Sequence, residues 1–356
     1  MTASARVFDP QAQVKAAWEL SRKLIKAYET MRKIGAIEVG AAAKELVFEY
    51  DKIKLYHYQP EAPVTCRVPV VIAYALVNRP YMLDLQPDRS FIRRLLQQGL
   101  DVYAIDWGYP ARADKYLSLD DYLNVFLNDG VDFIRASTKH DAINLMGICQ
   151  GGTFSTIYAA LHPQKIKNLI TIVTPVDFST NDGLLFRWSK SMNVDAMVDI
   201  YGLIPGDVLS AGYLMLRPFM KISKYIEVLD VMDDREKLEN FLRMEQWILD
   251  SPAHAGECYR QFVKALYQQN KLVEGGLVVG EQQVDIKKIT MPLLNIYASD
   301  DHIVPPSASI PLNGLVGSAD KELYSFKGGH IGVFVSAKSQ RELAPAIANW
   351  LHQRAN

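Results

Sequence analysis

The sequence predicts an α/β fold with a mostly parallel β-sheet, helices packed against it, and a helical insertion before the last two strands. Short apolar runs alternate regularly with helical patterns between residues 69 and 173. The alternation stops over residues 176–285 and resumes at residue 292. Because strands that alternate with helices are joined by crossover connections, this pattern is typical of a parallel sheet.

Two elements precede the alternation. A helix is predicted over residues 11–34, where apolar side chains recur on one face; they are Val14, Ala17, Trp18, Leu24, Ile25, Tyr28, Met31 and Ile34. We expect this helix to pack on the main body, and a docking surface for a partner subunit is the alternative. Residues 46–50 and 53–58 alternate about Asp51-Lys52, which predicts a hairpin that begins the sheet.

The regular part of the chain contains the remaining predicted elements. Strands are predicted at residues 70–75, 102–106, 142–146, 166–173, 292–298 and 323–326, and helices at 90–98, 119–137, 153–161 and 339–353. The chain then divides into an N-terminal helical segment (1–40), two parts of one core (41–175 and 286–356) and an insertion (176–285).

The insertion is predicted to form a lid. It holds six of the eleven methionines: Met192, Met197, Met215, Met220, Met232 and Met244. Methionine fills irregular apolar space and adapts to different surfaces, so this composition is typical of a mobile cap over an apolar channel. For any single methionine, a role as a core filler is as good an explanation.

The stretch at residues 142–163 predicts the catalytic nucleophile. An apolar run ends at Gly147-Ile148-Cys149-Gln150-Gly151-Gly152, and a helical pattern follows at once. A nucleophile elbow has this layout, because its turn is too sharp for side chains at the flanking positions. A lid after the next strand and two further strands complete the order of an α/β-hydrolase fold. Cysteine stands where serine is common.

Polar residues that follow the last two predicted strands supply the other catalytic groups. Asp300, Asp301 and His302 follow the strand at 292–298, and His330 follows the strand at 323–326. Functional groups gather at the carboxyl ends of parallel strands, and the order nucleophile, acid, histidine is that of the fold. His330, on a glycine-flanked loop, fits better than His302, and the acid is Asp300 or Asp301.

The cysteine indicates acyl transfer. A thiol that an imidazole holds as thiolate is a strong nucleophile at neutral pH. Its attack on an acyl thioester forms another thioester of similar energy, and transfer of the acyl group to a hydroxyl is then favourable. The oxyanion hole would consist of the backbone N–H of Gln150 and that of a residue near Val77.

Composition and charge exclude several classes of partner. The 356 residues are 49% hydrophobic and 22% charged, as in an ordinary globular protein. With 39 basic and 40 acidic residues the net charge is −1, which argues against a nucleic-acid partner. Neither a signal-peptide pattern nor a run of about 18 apolar residues occurs, so we expect a cytosolic protein.

Cofactor and metal sites are not expected either. Cys66, Cys149 and Cys258 are far apart and odd in number, which argues against a disulfide framework and a zinc cluster. The chain has no glycine-rich phosphate loop and no His-x-x-x-His pair, so we assign no cofactor and no metal.

At this point the sequence resembles the polyhydroxyalkanoate synthases, and most closely the catalytic subunit of the two-subunit class III enzymes. The resemblance runs from about residue 40 to the end. It rests on Gly147-Ile148-Cys149-Gln150-Gly151-Gly152, Tyr74-Ala75-Leu76-Val77-Asn78-Arg79-Pro80-Tyr81, Asp106-Trp107-Gly108, Asp301-His302-Ile303-Val304-Pro305 and Gly328-Gly329-His330. Gln150 in the elbow favours class III over class IV.

The resemblance implies polymerisation of (R)-3-hydroxyacyl-CoA, commonly 3-hydroxybutyryl-CoA, to a polyester with release of CoA. It implies that Cys149 carries the acyl group, that His330 is the general base, and that Asp301 is the acid that helps to activate the incoming 3-hydroxyl. It also implies a separate accessory subunit. Our hypothesis is that the helix at 11–34 or the lid supplies the surface that binds it. Homodimers or larger assemblies on polyester granules in the cytoplasm are expected.

Some assignments stay open at this level. Asn78, Arg79, Asp84 and Trp107 are tentative pocket residues, and packing explains them equally well. One alternative function is a cysteine hydrolase of the same fold that releases free acid from an ester or thioester. Another is a non-catalytic granule-coating or scaffolding protein, against which the intact set of cysteine, aspartate and histidine weighs.

Overall fold

The computed structural model describes residues 10–216, 231 and 234–355. Two compact units are distinguished within the chain. The larger comprises residues 39–216 and 247–355, and the smaller comprises the described parts of residues 1–38 and 217–246. Met220 and Met232, which contributed to the lid prediction, lie outside the described residues.

An eight-stranded sheet forms the centre of the larger unit. Its strands are Lys44–Tyr50 (β1), Ile53–Tyr58 (β2), Cys66–Ala73 (β3), Leu100–Asp106 (β4), Ile143–Ile148 (β5), Ile166–Ile172 (β6), Leu293–Ala298 (β7) and Lys321–Phe326 (β8). They lie in the order β1-β2-β4-β3-β5-β6-β7-β8. β2 pairs antiparallel with β1 and β4, and all other neighbours are parallel. The predicted mostly parallel sheet is confirmed.

Helices separate the parallel strands β3 to β6 as predicted, and further helices lie before the sheet, in the insertion and near the last two strands. They are Pro10–Ile34 (α1), Phe91–Gln97 (α2), Asn128–Thr138 (α3), Gln150–Leu161 (α4), Leu184–Ser191 (α5), Val194–Tyr201 (α6), Gly206–Met215 (α7), Arg235–Leu249 (α8), Gly256–Phe262 (α9), Lys271–Glu274 (α10), Pro306–Ser309 (α11), Leu312–Leu315 (α12), Gly332–Val335 (α13) and Ala337–His352 (α14). Short π-helical segments precede α3 and follow α9, at Asp121–Leu127 and Val263–Gln268.

Several predicted boundaries differ from the structure, and two of the differences have local causes. The strand predicted at 70–75 begins at Cys66, which pairs with Leu100 before a register shift, and ends at Ala73. After the strand ends, the Tyr74 carbonyl accepts the Trp107 indole N–H at 2.8 Å instead of a backbone N–H from a neighbouring strand. The helix predicted at 119–137 is part π-helix and part α-helix.

The predicted insertion at 176–285 is helical where it is described. It contains α5 to α10, and its short strands pair with each other rather than with the main sheet: Leu203–Ile204 with His254–Ala255, and Val278–Val279 with Gln282–Gln283. The interruption of the strand–helix alternation is therefore visible in the structure. The role of this segment as a lid stays a prediction, as do the domain boundaries.

The helix after β5 packs unusually close to the sheet. A Cβ at Gly151 would lie 2.5 Å from the Tyr74 carbonyl oxygen and closer still to that of Ala73. A Cβ at Gly147 would lie 2.5 Å from both the Gly152 Cα and the Ser155 Oγ. Such distances are far inside van der Waals contact, so any side chain at either position would displace backbone.

We expect Gly151→Ala to lower the free energy of unfolding by about 3 kcal/mol, because the methyl group forces α4 away from the end of β3. Gly212→Ala in α7 is the matched control, since a Cβ there meets nothing within 4 Å. Alanine within a helix is favoured over glycine, so the control should gain about 0.5–1 kcal/mol. Urea denaturation of both variants checks this. Equal stability of the two variants would contradict the packing argument.

Candidate active site

Cys149 lies in a strained turn between β5 and α4. Its φ is 53° and its ψ is −123°, a backbone conformation that non-glycine residues rarely adopt. The turn is held by the Cys149 N–H, which donates to the Ile172 carbonyl at 2.9 Å, and by the Gly152 N–H, which donates to the Cys149 carbonyl at 2.9 Å. A strain of this type costs about 1–3 kcal/mol and persists only where surrounding contacts maintain it.

Asp301 and His330 form a buried hydrogen-bonded pair. Oδ2 of Asp301 accepts from Nδ1 of His330 at 2.6 Å, and the two side chains are 0% and 8% exposed. Oδ1 of Asp301 accepts the backbone N–H groups of Ile303 and Val304, each at 2.9 Å. Both carboxylate oxygens are therefore occupied, and the orientation of His330 is determined.

Asp300 and His302, the alternative candidates for the catalytic acid and the catalytic histidine, lie in different environments. Asp300 is exposed, and its carboxylate accepts from the Ser299 hydroxyl at 3.2 Å. His302 is half-buried, and the Asp301 carboxylate is taken up by His330 and two backbone groups. The geometry thus brings Asp301 and His330 together, although the catalytic roles of both residues stay a prediction.

His330 also lies within hydrogen-bonding reach of Cys149. Burial lowers the pKa of His330, but the charges of Asp301 and Cys149 and its hydrogen bonds to both outweigh burial, so that its pKa is raised well above the ordinary value. An imidazolium favours the thiolate form of an adjacent cysteine. The three side chains can therefore act as a nucleophile, a proton carrier and an orienting carboxylate.

The two backbone N–H groups predicted to form the oxyanion hole lie in the loop after β3 and at the start of α4. Among the residues that the structure describes, the N–H groups of Val77 and Gln150 have no hydrogen-bond acceptor. Gln150 is the first residue of α4, and the first N–H groups of a helix have no partner within it. These are the two groups predicted to form the oxyanion hole, and that role stays a prediction.

The loop after β3 is fixed by side chains that are distant in sequence. The Gln150 side chain accepts the Leu76 N–H at 3.0 Å, a contact that the sequence did not reveal. Asn78, with φ of 57°, donates to the carbonyls of Trp247 and Ile248 at 3.1 and 3.3 Å. The Trp247 indole N–H donates to the Arg79 carbonyl at 2.9 Å.

The remaining tentative pocket residues have structural partners. The Arg79 guanidinium donates to the Asp106 carboxylate at 2.6 Å and to the Gly108 carbonyl at 3.2 Å. Trp107 is buried. Asp84 is 1% exposed, accepts from the Ser90 hydroxyl at 2.6 Å and the Ala42 N–H at 2.8 Å, and has its pKa raised by burial. A substrate-binding role for these residues stays a prediction.

Three tyrosines interact with the charge of Cys149, and sequence reasoning missed them. Tyr74, Tyr213 and Tyr267 all lie near enough to Cys149 to interact with its charge. Burial raises the pKa of each phenol, so all three stay neutral hydrogen-bond donors at physiological pH. Two of them come from the insertion, whose aromatic content was the only available signal.

Other site types are not found in the described part of the chain. No group of three or more histidine, cysteine, aspartate or glutamate residues is arranged to hold a metal there. None of the helices within that part combines the length and apolar character needed to cross a membrane. Cys66 and Cys258 are free and buried, and Cys149 is free and partly accessible.

We expect iodoacetamide to modify one thiol per chain at pH 7, at Cys149, because burial raises the pKa of both Cys66 and Cys258. Asp301→Asn should slow this alkylation about 10-fold, because loss of the carboxylate lowers the pKa of His330 and leaves less imidazolium beside the thiol. Mass spectrometry of quenched samples measures the number of modified thiols and the rate of alkylation.

The matched control for this experiment is Asp300→Asn, which removes the adjacent exposed carboxylate and should leave the alkylation rate unchanged. If both variants behave alike, the pairing of Asp301 with His330 does not govern the reactivity of Cys149.

Comparisons with known proteins identify the fold and the family of the chain. A profile described as the α/β-hydrolase fold matches residues 68–337, and one described as the poly-beta-hydroxybutyrate polymerase (PhaC) N-terminus matches residues 20–95. Among solved structures, a monoglyceride lipase variant from Saccharomyces cerevisiae has a TM-score of 0.52 at 15% identity, covering 90% of this chain and 97% of its own. That likeness shows the α/β-hydrolase fold alone.

Curated relatives are similar over nearly the whole chain. The poly(3-hydroxyalkanoate) polymerase subunit PhaC of Allochromatium vinosum is 50% identical over 348 residues, covering 97% of this chain and 98% of its own. The subunit of the same name from Synechocystis sp. is 48% identical, covering 94% and 92%. The chain therefore belongs to the poly(3-hydroxyalkanoate) polymerase family, as a catalytic subunit of the class III type.

Proposed function

We propose that this chain polymerises (R)-3-hydroxyacyl-CoA, with 3-hydroxybutyryl-CoA as the short-chain substrate, into a polyester with release of CoA. The observation that carries the proposal is the buried pair of Asp301 and His330 beside Cys149 at the elbow. The near-full-length similarity to PhaC subunits supports the substrate class. No metal or cofactor is part of the proposed reaction.

Acylation is the first step of the proposed mechanism. The Cys149 thiolate attacks the thioester carbonyl, and the N–H groups of Val77 and Gln150 donate to the developing oxyanion. The C–S bond to CoA breaks, and the proton on His330 passes to the departing CoA thiolate. The acyl group is then held on Cys149 as a thioester.

Transfer of the acyl group to a hydroxyl is the second step. His330, now neutral, takes the proton from the 3-hydroxyl of an incoming acyl group, whose oxygen attacks the enzyme thioester. An ester bond forms, and the thiolate of Cys149 is released. Because both carboxylate oxygens of Asp301 are occupied by His330 and backbone N–H groups, we propose that Asp301 acts on the hydroxyl through His330.

The same groups would support hydrolysis if water reached the enzyme thioester. We propose that the insertion favours transfer to a hydroxyl, because it places the neutral phenols of Tyr213 and Tyr267 near enough to Cys149 to interact with its charge. We propose that residues 176–285 act as the lid that limits access of water, between core parts 41–175 and 286–356. Asn78, Arg79 and Trp107 are proposed to shape the pocket from the opposite loops.

An accessory subunit is part of the proposal. We propose that it binds the N-terminal segment 1–40, whose helix α1 carries exposed apolar side chains: Val14 at 60%, Trp18 at 68%, Ile25 at 61% and Tyr28 at 61% exposure. Isolated apolar side chains are common on surfaces, but a group of large ones on one helix is typical of interaction sites. Assembly as homodimers or larger complexes on the granule surface completes the proposal.

The first test incubates the purified chain and its accessory subunit with (R)-3-hydroxybutyryl-CoA. We expect release of CoA together with an insoluble polyester, and a loss of at least about 10³-fold in Cys149→Ala, which lacks the nucleophile. A thiol assay measures the release of CoA, and product analysis identifies the polyester. Cys66→Ala removes a buried thiol and is the matched control with activity retained. Free 3-hydroxybutyrate as the sole product would instead identify a thioester hydrolase, and absence of release would favour a scaffold.

A second test concerns the accessory subunit. Removal of residues 1–38 should abolish co-purification of that subunit, because the apolar face of α1 is lost, while iodoacetamide still modifies Cys149 at the wild-type rate. Pull-down with the tagged accessory subunit measures binding. Retained binding by the shortened chain would exclude the helix as the docking surface and leave the lid as the candidate.

A further inference from the structure

His254 is a buried histidine that the proposed mechanism does not use. It lies in the short strand His254–Ala255, opposite Ile204, with its ring 6.1 Å from that of Tyr259. The residue is 3% exposed, and its Nε2 has no hydrogen-bond partner. Burial of an unsatisfied polar atom is unfavourable, so another contact of this ring must explain its presence in the core.

The ring lies within hydrogen-bonding reach of the Leu76 backbone. The Leu76 N–H already donates to the Gln150 side chain at 3.0 Å, so the partner of the histidine is the Leu76 carbonyl. Because Nε2 has no partner, the donor is Nδ1. Burial lowers the pKa of His254 to about 4, which keeps the ring neutral and its tautomer constant at physiological pH.

The Leu76 carbonyl and the Val77 N–H belong to one peptide group. This group is planar and trans, as is every peptide bond described in the structure, so its C=O and N–H point in opposite directions. A donor that holds the carbonyl therefore determines the direction of the N–H. It also polarises the group, which strengthens the N–H as a donor.

We infer that His254 is a positioning residue for the oxyanion hole: by holding the Leu76 carbonyl, it aims the Val77 N–H at the oxyanion that forms on Cys149. The Gln150 side chain accepts the N–H of Leu76. Both peptide groups of Leu76, the residue before the proposed donor Val77, are therefore restrained. The inference rests on the proposed acyl transfer at Cys149.

The test separates two reactions of the same thiol. Acylation by (R)-3-hydroxybutyryl-CoA passes through a tetrahedral oxyanion, whereas alkylation by iodoacetamide is a displacement at a saturated carbon and forms none. Removal of the donor in His254→Leu should slow single-turnover CoA release 10-fold to 100-fold and change the alkylation rate less than about 2-fold, since oxyanion-hole donors affect only the first reaction.

His254→Asn is the matched variant, because its amide nitrogen occupies the place of Nδ1; acylation within about 5-fold of wild type is expected. If circular dichroism shows that His254→Leu does not fold, His254→Gln replaces it, since its amide reaches the place of Nε2 instead. Wild-type acylation, measured alongside, tests the proposed function itself.

Three results would overturn the inference while wild-type acylation remains intact. The first is acylation at the wild-type rate in the variant without the donor. The second is an equal fall of acylation and alkylation, which would indicate general disruption of the site. The third is an Asn variant as slow in acylation as the Leu variant, with alkylation unchanged in both.

Discussion

The close approach of α4 to the end of β3 is the contact on which the rest of the site depends. At Gly151 there is no space for a methyl group beside the Ala73 and Tyr74 carbonyls, so the helix begins directly next to the loop after β3. This brings the Gln150 side chain within reach of the Leu76 N–H, which it accepts at 3.0 Å. The strain at Cys149, about 1–3 kcal/mol, is maintained by the same packing.

The buried carboxylate of Asp301 is stabilised by hydrogen bonds, as a buried charge must be. An ion removed from water is tolerated when all its hydrogen-bonding capacity is used, and Asp301 has two backbone N–H groups and one imidazole. A carboxylate held in this way cannot reorient, so its charge acts continuously on His330. This explains why the pKa of His330 is raised despite burial, which alone would lower it.

Local patterns predicted most of the fold and the three central side chains. The elbow, the strand ends and the chain order are short-range features, and they located Cys149 and His330 without coordinates. The local pattern left Asp300 and Asp301 open and the resemblance favoured Asp301, which is the carboxylate that pairs with His330 in the structure. Contacts such as those of Tyr213 and His254 could not be predicted, because they join residues far apart in sequence through an irregular insertion.

The loop after β3 also limits where substrate specificity can arise. Its carbonyls, N–H groups and side chains at Tyr74, Leu76, Asn78 and Arg79 are engaged by partners within the protein. Groups that are already bonded act as rigid support and contribute little to discrimination between substrates. The insertion adds the neutral phenols of Tyr213 and Tyr267, which interact with the charge of Cys149. Because the groups of this loop are already engaged, we expect acyl-chain preference to depend on side chains outside it.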